Sequence, residues 1–227
     1  MKNLLFKEFK LSIHPLTYFF IALMAMSALA PSFPSFVPLL YCGAAYTFLF
    51  IGMNKTTTTN DLLYTCLLPI KRESVVKARV FSTTILQLYE LVLIFGFFCI
   101  NGFIFQGEGV KVDDLGVVSI GIKQGFFLLG VYFICLSIFD LIYMPWFYKN
   151  GKSIIANMLV GILVTAVAGG ILTIIPYLFF KDIITIGDPH ANYLLQIGFL
   201  LVGLGIWICS KVLVIKISTK RLIRLDF

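Results

Sequence analysis

Charge is scarce in this chain: 13% of its 227 residues are Asp, Glu, Lys or Arg, about half the share of a soluble domain. With 59% apolar residues, such a chain cannot be dissolved by water alone. Histidine is scarcer still. Two histidines exclude an HExxH pair or a Cys–His metal cluster. The five cysteines, Cys42, Cys66, Cys99, Cys135 and Cys209, are odd in number and without CxxC spacing. They exclude a disulfide frame, and most sit in apolar stretches as small apolar groups. The sequence has no GxSxG elbow and no Gly-rich loop ending in Gly-Lys-Ser or Gly-Lys-Thr, so ATP driving any work here binds elsewhere. Asp188-Pro189-His190 reads as an ordinary turn.

What is present is hydrocarbon-soluble length. A helix needs about 20 apolar residues to cross about 30 Å of bilayer core. Six stretches qualify as spans: 16–30, 33–53, 80–105, 122–146, 154–180 and 193–215. The fold class is therefore all-α, one polytopic transmembrane domain over 1–227. The first span is short. Its flanking lysines and Ala28-Leu29-Ala30 imitate a signal peptide, but Pro31 directly after that triplet should fit a peptidase poorly, so the span is expected to be retained.

Lys and Arg resist translocation, and here they are lopsided. With both termini inside, fifteen of the eighteen fall on cytoplasmic segments, leaving Lys111, Lys123 and Lys181 outside. The surplus follows loop edges with no RNA- or DNA-binding motif, so nucleic acid is not an expected partner.

Residues 1–14 are patterned as an amphipathic interfacial helix. Leu5, Phe6, Phe9 and Ile13 recur on one side, with Asn3, Lys7, Lys10 and His14 opposite. The apolar side should sink into the acyl boundary, and Lys7 and Lys10 should meet anionic headgroups or an acidic partner. Between the second and third spans lies a second short helix, 60–69. Thr56 to Asn60 supply capping side chains and Asp61 favours the start. Leu62, Leu63, Cys66 and Leu67 form an apolar side, and Pro69 stops the turn. Too short to span, it needs a groove on another protein or on its own bundle. Lys71, Arg72, Glu73, Lys77 and Arg79 follow it into the third span.

Inside the spans a few groups oppose their solvent. Thr83, Gln87, Glu90 and Asn101 fall on one side of the third span, and Asp140 lies one turn from Ser137 in the fourth. An ionised carboxylate at a helix centre costs roughly 2.5–3.5 kcal/mol on insertion scales. Glu90 and Asp140 must therefore face protein or water, either as a pathway or as carboxylates satisfied by Gln, Ser, Tyr, Arg or Lys. In the fifth span Asn157, Gly161, Thr165, Gly169 and Thr173 repeat every fourth residue, a small-residue face for close helix packing within or between subunits. Gly198, Val202 and Gly205 form a weaker version in the sixth.

Three passages together resemble small six-helix permease subunits of the ABC-transporter type-2 exporters. They are 3–10 with Ser12-Ile13-His14-Pro15, the turn Pro31-Ser32-Phe33-Pro34, and 60–63 continuing through 67–73 to Val76-Lys77-Ala78-Arg79. The resemblance implies a bacterial plasma-membrane protein that is not itself an enzyme. It also implies a second permease, identical or different, and separate ATPase subunits carrying ATP and Mg. Carried over, 61–69 is the coupling helix seated in the ATPase groove, with Lys71, Arg72, Glu73 and Lys77 at its rim. Within the group the sequence is similar to permeases that export phenol-soluble modulins. Related permeases serve bacteriocin or antibiotic immunity. Two other classes fit the composition: the substrate-binding membrane component of a vitamin importer, and an intramembrane enzyme, which would need Glu90 and Asp140 together with a metal or nucleophile.

Overall fold

A computed structural model describes residues 2–13, 15–26, 71–104, 125–150, 154–184 and 193–224, all in helices or the turns at their ends. In chain order these are α1 (Lys2–Lys7) with a π-helical turn (Glu8–Ser12), α2 (Leu16–Ala25), α3 (Arg72–Ile104), α4 (Gly125–Asn150), α5 (Ile154–Ile184) and α6 (Tyr193–Ile223). Four of them, α3 to α6, are long and apolar enough to cross a membrane, and α2 is a shorter apolar helix. The predicted span 33–53, the end of the first span and the short helix 60–69 lie outside the described residues. The chain is an all-α, multi-pass membrane protein.

Helix is the form such sequences must take, because hydrocarbon offers no partner to an open backbone N–H or C=O. That requirement overrides the modest helix propensity of the Val, Ile and Thr in these spans. It also carries α4 through Pro145, where one missing donor near the helix end is tolerated. α3 begins earlier than the predicted 80, with Arg72 to Arg79 as its first turns. α6 runs past the predicted 215 to Ile223, ending in Lys220 and Arg221 beside the negative end of its dipole.

α4 is the central strut: 72% of its apolar window is buried, against 22–44% in the other three. It packs most extensively on α6 and next on α5, while α3 lies mainly on α6 and touches α4 little. At the α4–α6 crossing, a Cβ built on Gly203 would stand 2.6 Å from the Gly130 carbonyl oxygen, so the two backbones meet directly. Above and below this crossing, Phe127 stacks on Phe199 at 4.8 Å and Phe133 meets Trp207 at 5.4 Å. The small face of the fifth span does pack within the chain. Asn157, Gly161, Thr165, Gly169 and Thr173 are buried, with Gly161 against the Phe139 ring and Gly169 against the Cys135 sulfur. In the sixth span Gly198 and Gly205 meet nothing and Val202 is exposed, so that face is turned away from the bundle, while Gly203 is the residue that meets α4.

Two apolar clusters fill the bundle. One gathers Ile13, Ile21, Val76, Val80, Tyr143, Phe147 and Leu222; the other gathers Ala25, Ile94, Leu128, Tyr132, Leu136 and Trp207. Outward, α5 and α6 expose Leu163, Val167, Ile171, Leu194 and Leu201. Faces this apolar need hydrocarbon or another membrane helix against them.

Candidate functional site

The N-terminal segment presents one face to the bundle. Leu4, Glu8 and Ile13 are buried, whereas Phe6 is 64% exposed with the Lys10 ammonium 5.3 Å from its ring centre. Lys7 and Phe9 are half-buried. Leu4 and Glu8, four residues apart, share this face, and a π-helical turn, closed by Ile13 N–H donating to the Glu8 carbonyl at 3.0 Å, brings Ile13 onto it. A partner waits for Glu8. Arg79 donates from Nε to Glu8 Oε2 at 3.1 Å and from a terminal nitrogen to Oε1 at 3.2 Å. Both side chains are over nine-tenths buried. The Arg79 guanidinium also lies 5.5 Å from the Phe147 ring centre on α4. This two-pronged, charge-assisted geometry is the strong form of the interaction, and it fixes the N-terminal helix to the start of α3.

One α3 residue nearer its start holds the other terminus. Arg72 donates to the carbonyls of Leu222 at 3.2 Å and Ile223 at 3.1 Å, meeting carbonyls that a helix end leaves without intrahelical donors. Of the predicted rim, Lys71 is exposed, and Glu73 and Lys77 form an exposed pair at 2.6 Å along the helix. The predicted Asp61, Leu62, Leu63, Cys66, Leu67 and Pro69 lie outside the described residues.

Deeper in the bundle, two of the three predicted intramembrane polar residues come together. The Gln87 amide on α3 donates to both Asp140 oxygens on α4, at 3.0 and 3.1 Å. Its carbonyl accepts from Trp207 Nε1 at 3.2 Å and from Lys211 Nζ at 2.6 Å, both on α6. Lys211 closes the network with an ion pair to Asp140, its ammonium 4.9 Å from the Trp207 ring centre. Gln87 lies eight residues beyond Arg79 and Asp140 nine before Lys149, about 12–14 Å along the helix axes. That depth is well inside the hydrocarbon core of about 30 Å. The network also sits where the two apolar clusters meet, with Trp207 in one and Val214, the next inward α6 residue after Lys211, in the other.

Glu90 is buried one turn further along the same side of α3. Ser137 turns its hydroxyl to the Phe133 carbonyl at 2.7 Å instead of to Asp140. Among the described residues no group of three His, Cys, Asp or Glu could hold a metal, and Asp140 is committed to Gln87 and Lys211. Sequence reasoning missed Glu8 and Lys211 as site residues. Glu8 is the lone acidic residue of the first 60, and Lys211 falls inside the predicted span 193–215; each was a charge out of place.

A multi-pass bundle with basic helix starts and ends agrees with one comparison. The family described as ABC-2 family transporter protein matches residues 3–219, nearly the whole chain. The chain belongs to that family. No curated protein and no solved structure matches it. As an ABC-2 membrane permease it is a non-catalytic transport subunit, and the family works in the lipid membrane with an ATPase subunit. The permease's buried polar contacts lie where α3 meets the rest of the bundle.

Proposed function

We propose that this ABC-2 permease is the membrane half of an ATP-driven exporter of amphipathic, membrane-active peptides of the phenol-soluble-modulin kind. It sits in the bacterial plasma membrane with six spans and both termini cytoplasmic. It pairs with a second permease, identical or different, and with separate ATPases that bind ATP and Mg. Segment 61–69 is the coupling helix. ATP closes the ATPases, their groove pulls that helix, and a cavity between the two permeases changes access.

The observation that carries this reading is the double clamp at the start of α3. The coupling segment leads directly into Arg72 and Arg79. Arg72 holds the last carbonyls of α6, and Arg79 holds Glu8 near the N-terminus. A pull on this point has rigid attachments on both sides, the contiguous path that transmission between sites requires. The apolar outer faces of α5 and α6 suit a hydrophobic or amphipathic cargo and a second permease.

The test is charge reversal at Lys71 and Arg72 together, in permease co-expressed with its ATPase. The variant is expected in the membrane at wild-type level with transport and peptide-stimulated ATP turnover abolished. Normal export by this variant would remove the coupling assignment.

A further inference from the structure

The polar network of Gln87, Asp140, Lys211 and Trp207 is not explained by stability. Exchanging a buried ion pair for well-packed apolar residues is often neutral or stabilising, and insertion penalises each charge in hydrocarbon. Its layout points to a purpose. The Asp140–Lys211 pair joins α4 to α6, helices that already share the most extensive contact in the bundle. Gln87 reaches it from α3, which touches α4 little.

Only a carboxamide suits that position. It must give hydrogens to a carboxylate and accept them from an ammonium and an indole at once. An ionised glutamate would have no hydrogen to give, and leucine neither hydrogen nor lone pair. Apolar contacts between helices in lipid let one slide past the other at small cost, since tails replace side chains. A polar plug with four bonds fixes both rotation and register, because sliding α3 by a turn would strand the Gln87 amide in hydrocarbon and take its hydrogen bonds from Asp140, Lys211 and Trp207.

We propose that Gln87 is the positioning residue that makes α3 and the α4–α6 block move as one in the transport cycle, by plugging into the Asp140–Lys211 pair. The inference rests on the exporter reading: α3 receives the stroke from the coupling segment, and the plug hands it to the helices that line the changing cavity. Val76 and Val80 lie with Phe147 and Tyr143 in one apolar cluster, but such contacts alone would let the stroke dissipate as helix slip.

The experiment uses the permease–ATPase complex in inside-out vesicles, with a fluorescent amphipathic helical peptide as probe. Gln87→Leu is compared with wild type and with a reversed pair, Asp140→Lys combined with Lys211→Asp, in which the Gln87 amide can turn over and bond the exchanged charges. In Gln87→Leu, the amount of assembled complex and the ATPase's unstimulated turnover stay at wild-type level. Peptide uptake and the ratio of stimulated to unstimulated turnover fall roughly tenfold, within the usual span of coupling between sites. A purely structural role would not move that ratio in assembled complex. Wild-type uptake by an assembled Gln87→Leu complex overturns the proposal. If Gln87→Leu fails to assemble, the reversed pair decides: uptake by it supports the plug, and its failure to assemble or to transport overturns it. A wild-type complex without ATP-driven uptake removes the exporter reading, and the plug with it, by a result distinct from either variant's.

Discussion

Two ionisable residues, Glu8 and Arg79, define what a single side chain can contribute in this bundle. Each would be costly alone in its nine-tenths-buried position, yet together they form a two-pronged pair. Removing one partner strands the other, so Glu8→Gln should lower stability by about 3–5 kcal/mol. The check is the thermal midpoint of the detergent-solubilised protein. Exchanging the two charges, Glu8→Arg with Arg79→Glu, should recover most of that loss. Equal midpoints for wild type and Glu8→Gln would mean that the pair holds nothing. Glycine offers a second contrast at this scale. Gly203→Ala forces a methyl against the Gly130 backbone, whereas Gly205→Ala meets nothing within 4 Å. The first should cost about 1–3 kcal/mol, as overpacking does, and the second should leave the midpoint unchanged.

Helices are where the sequence was most and least readable. The four long spans were legible because sustained apolar length has one solution in lipid, and α3 to α6 appear where hydropathy put them. Their ends were not, because a charged turn such as Arg72 to Arg79 can be loop or helix by composition alone. The partners that make it helix, Glu8 and the α6 carbonyls, are remote in sequence. Gln87 and Asp140 were legible as polar groups in the wrong solvent. Lys211 and Trp207 were not, since a lysine near a span's end is ordinarily a topology signal. At this scale Arg72→Gln should loosen the last turn of α6, by about 0.3–1 kcal/mol for a cation at a helix C-terminus. Faster amide hydrogen exchange over 220–224 would report it, and Lys71→Gln, exposed beside it, should leave exchange unaltered. Equal exchange in both variants would deny Arg72 its capping role.

The molecule as a whole is a basic, multi-pass bundle whose engine resides in another chain. α4 to α6 form a block, α3 lies against it, and the N-terminal helix is pinned to α3. Contacts that join α3 to its surroundings through charge include Arg72, Arg79 and the Gln87 network. That arrangement agrees with force entering at the start of α3 and spreading from there. The charge distribution predicts that both termini face the cytoplasm. Cysteines placed at 2 and 226 in a cysteine-free background should resist an impermeant thiol reagent in intact cells and react after permeabilisation. Labelling in intact cells would invert the topology.

The central proposal, that a separate ATPase drives this permease through segment 61–69, is tested most directly by Leu67→Asp. The measurement is ATP-driven uptake of an amphipathic helical peptide into inside-out vesicles carrying permease and ATPase. Wild-type uptake should require both ATP and the ATPase, while Leu67→Asp should remain membrane-inserted and lose uptake together with the bound ATPase. Uptake by the permease without any ATPase, or undiminished uptake by Leu67→Asp, would contradict the account.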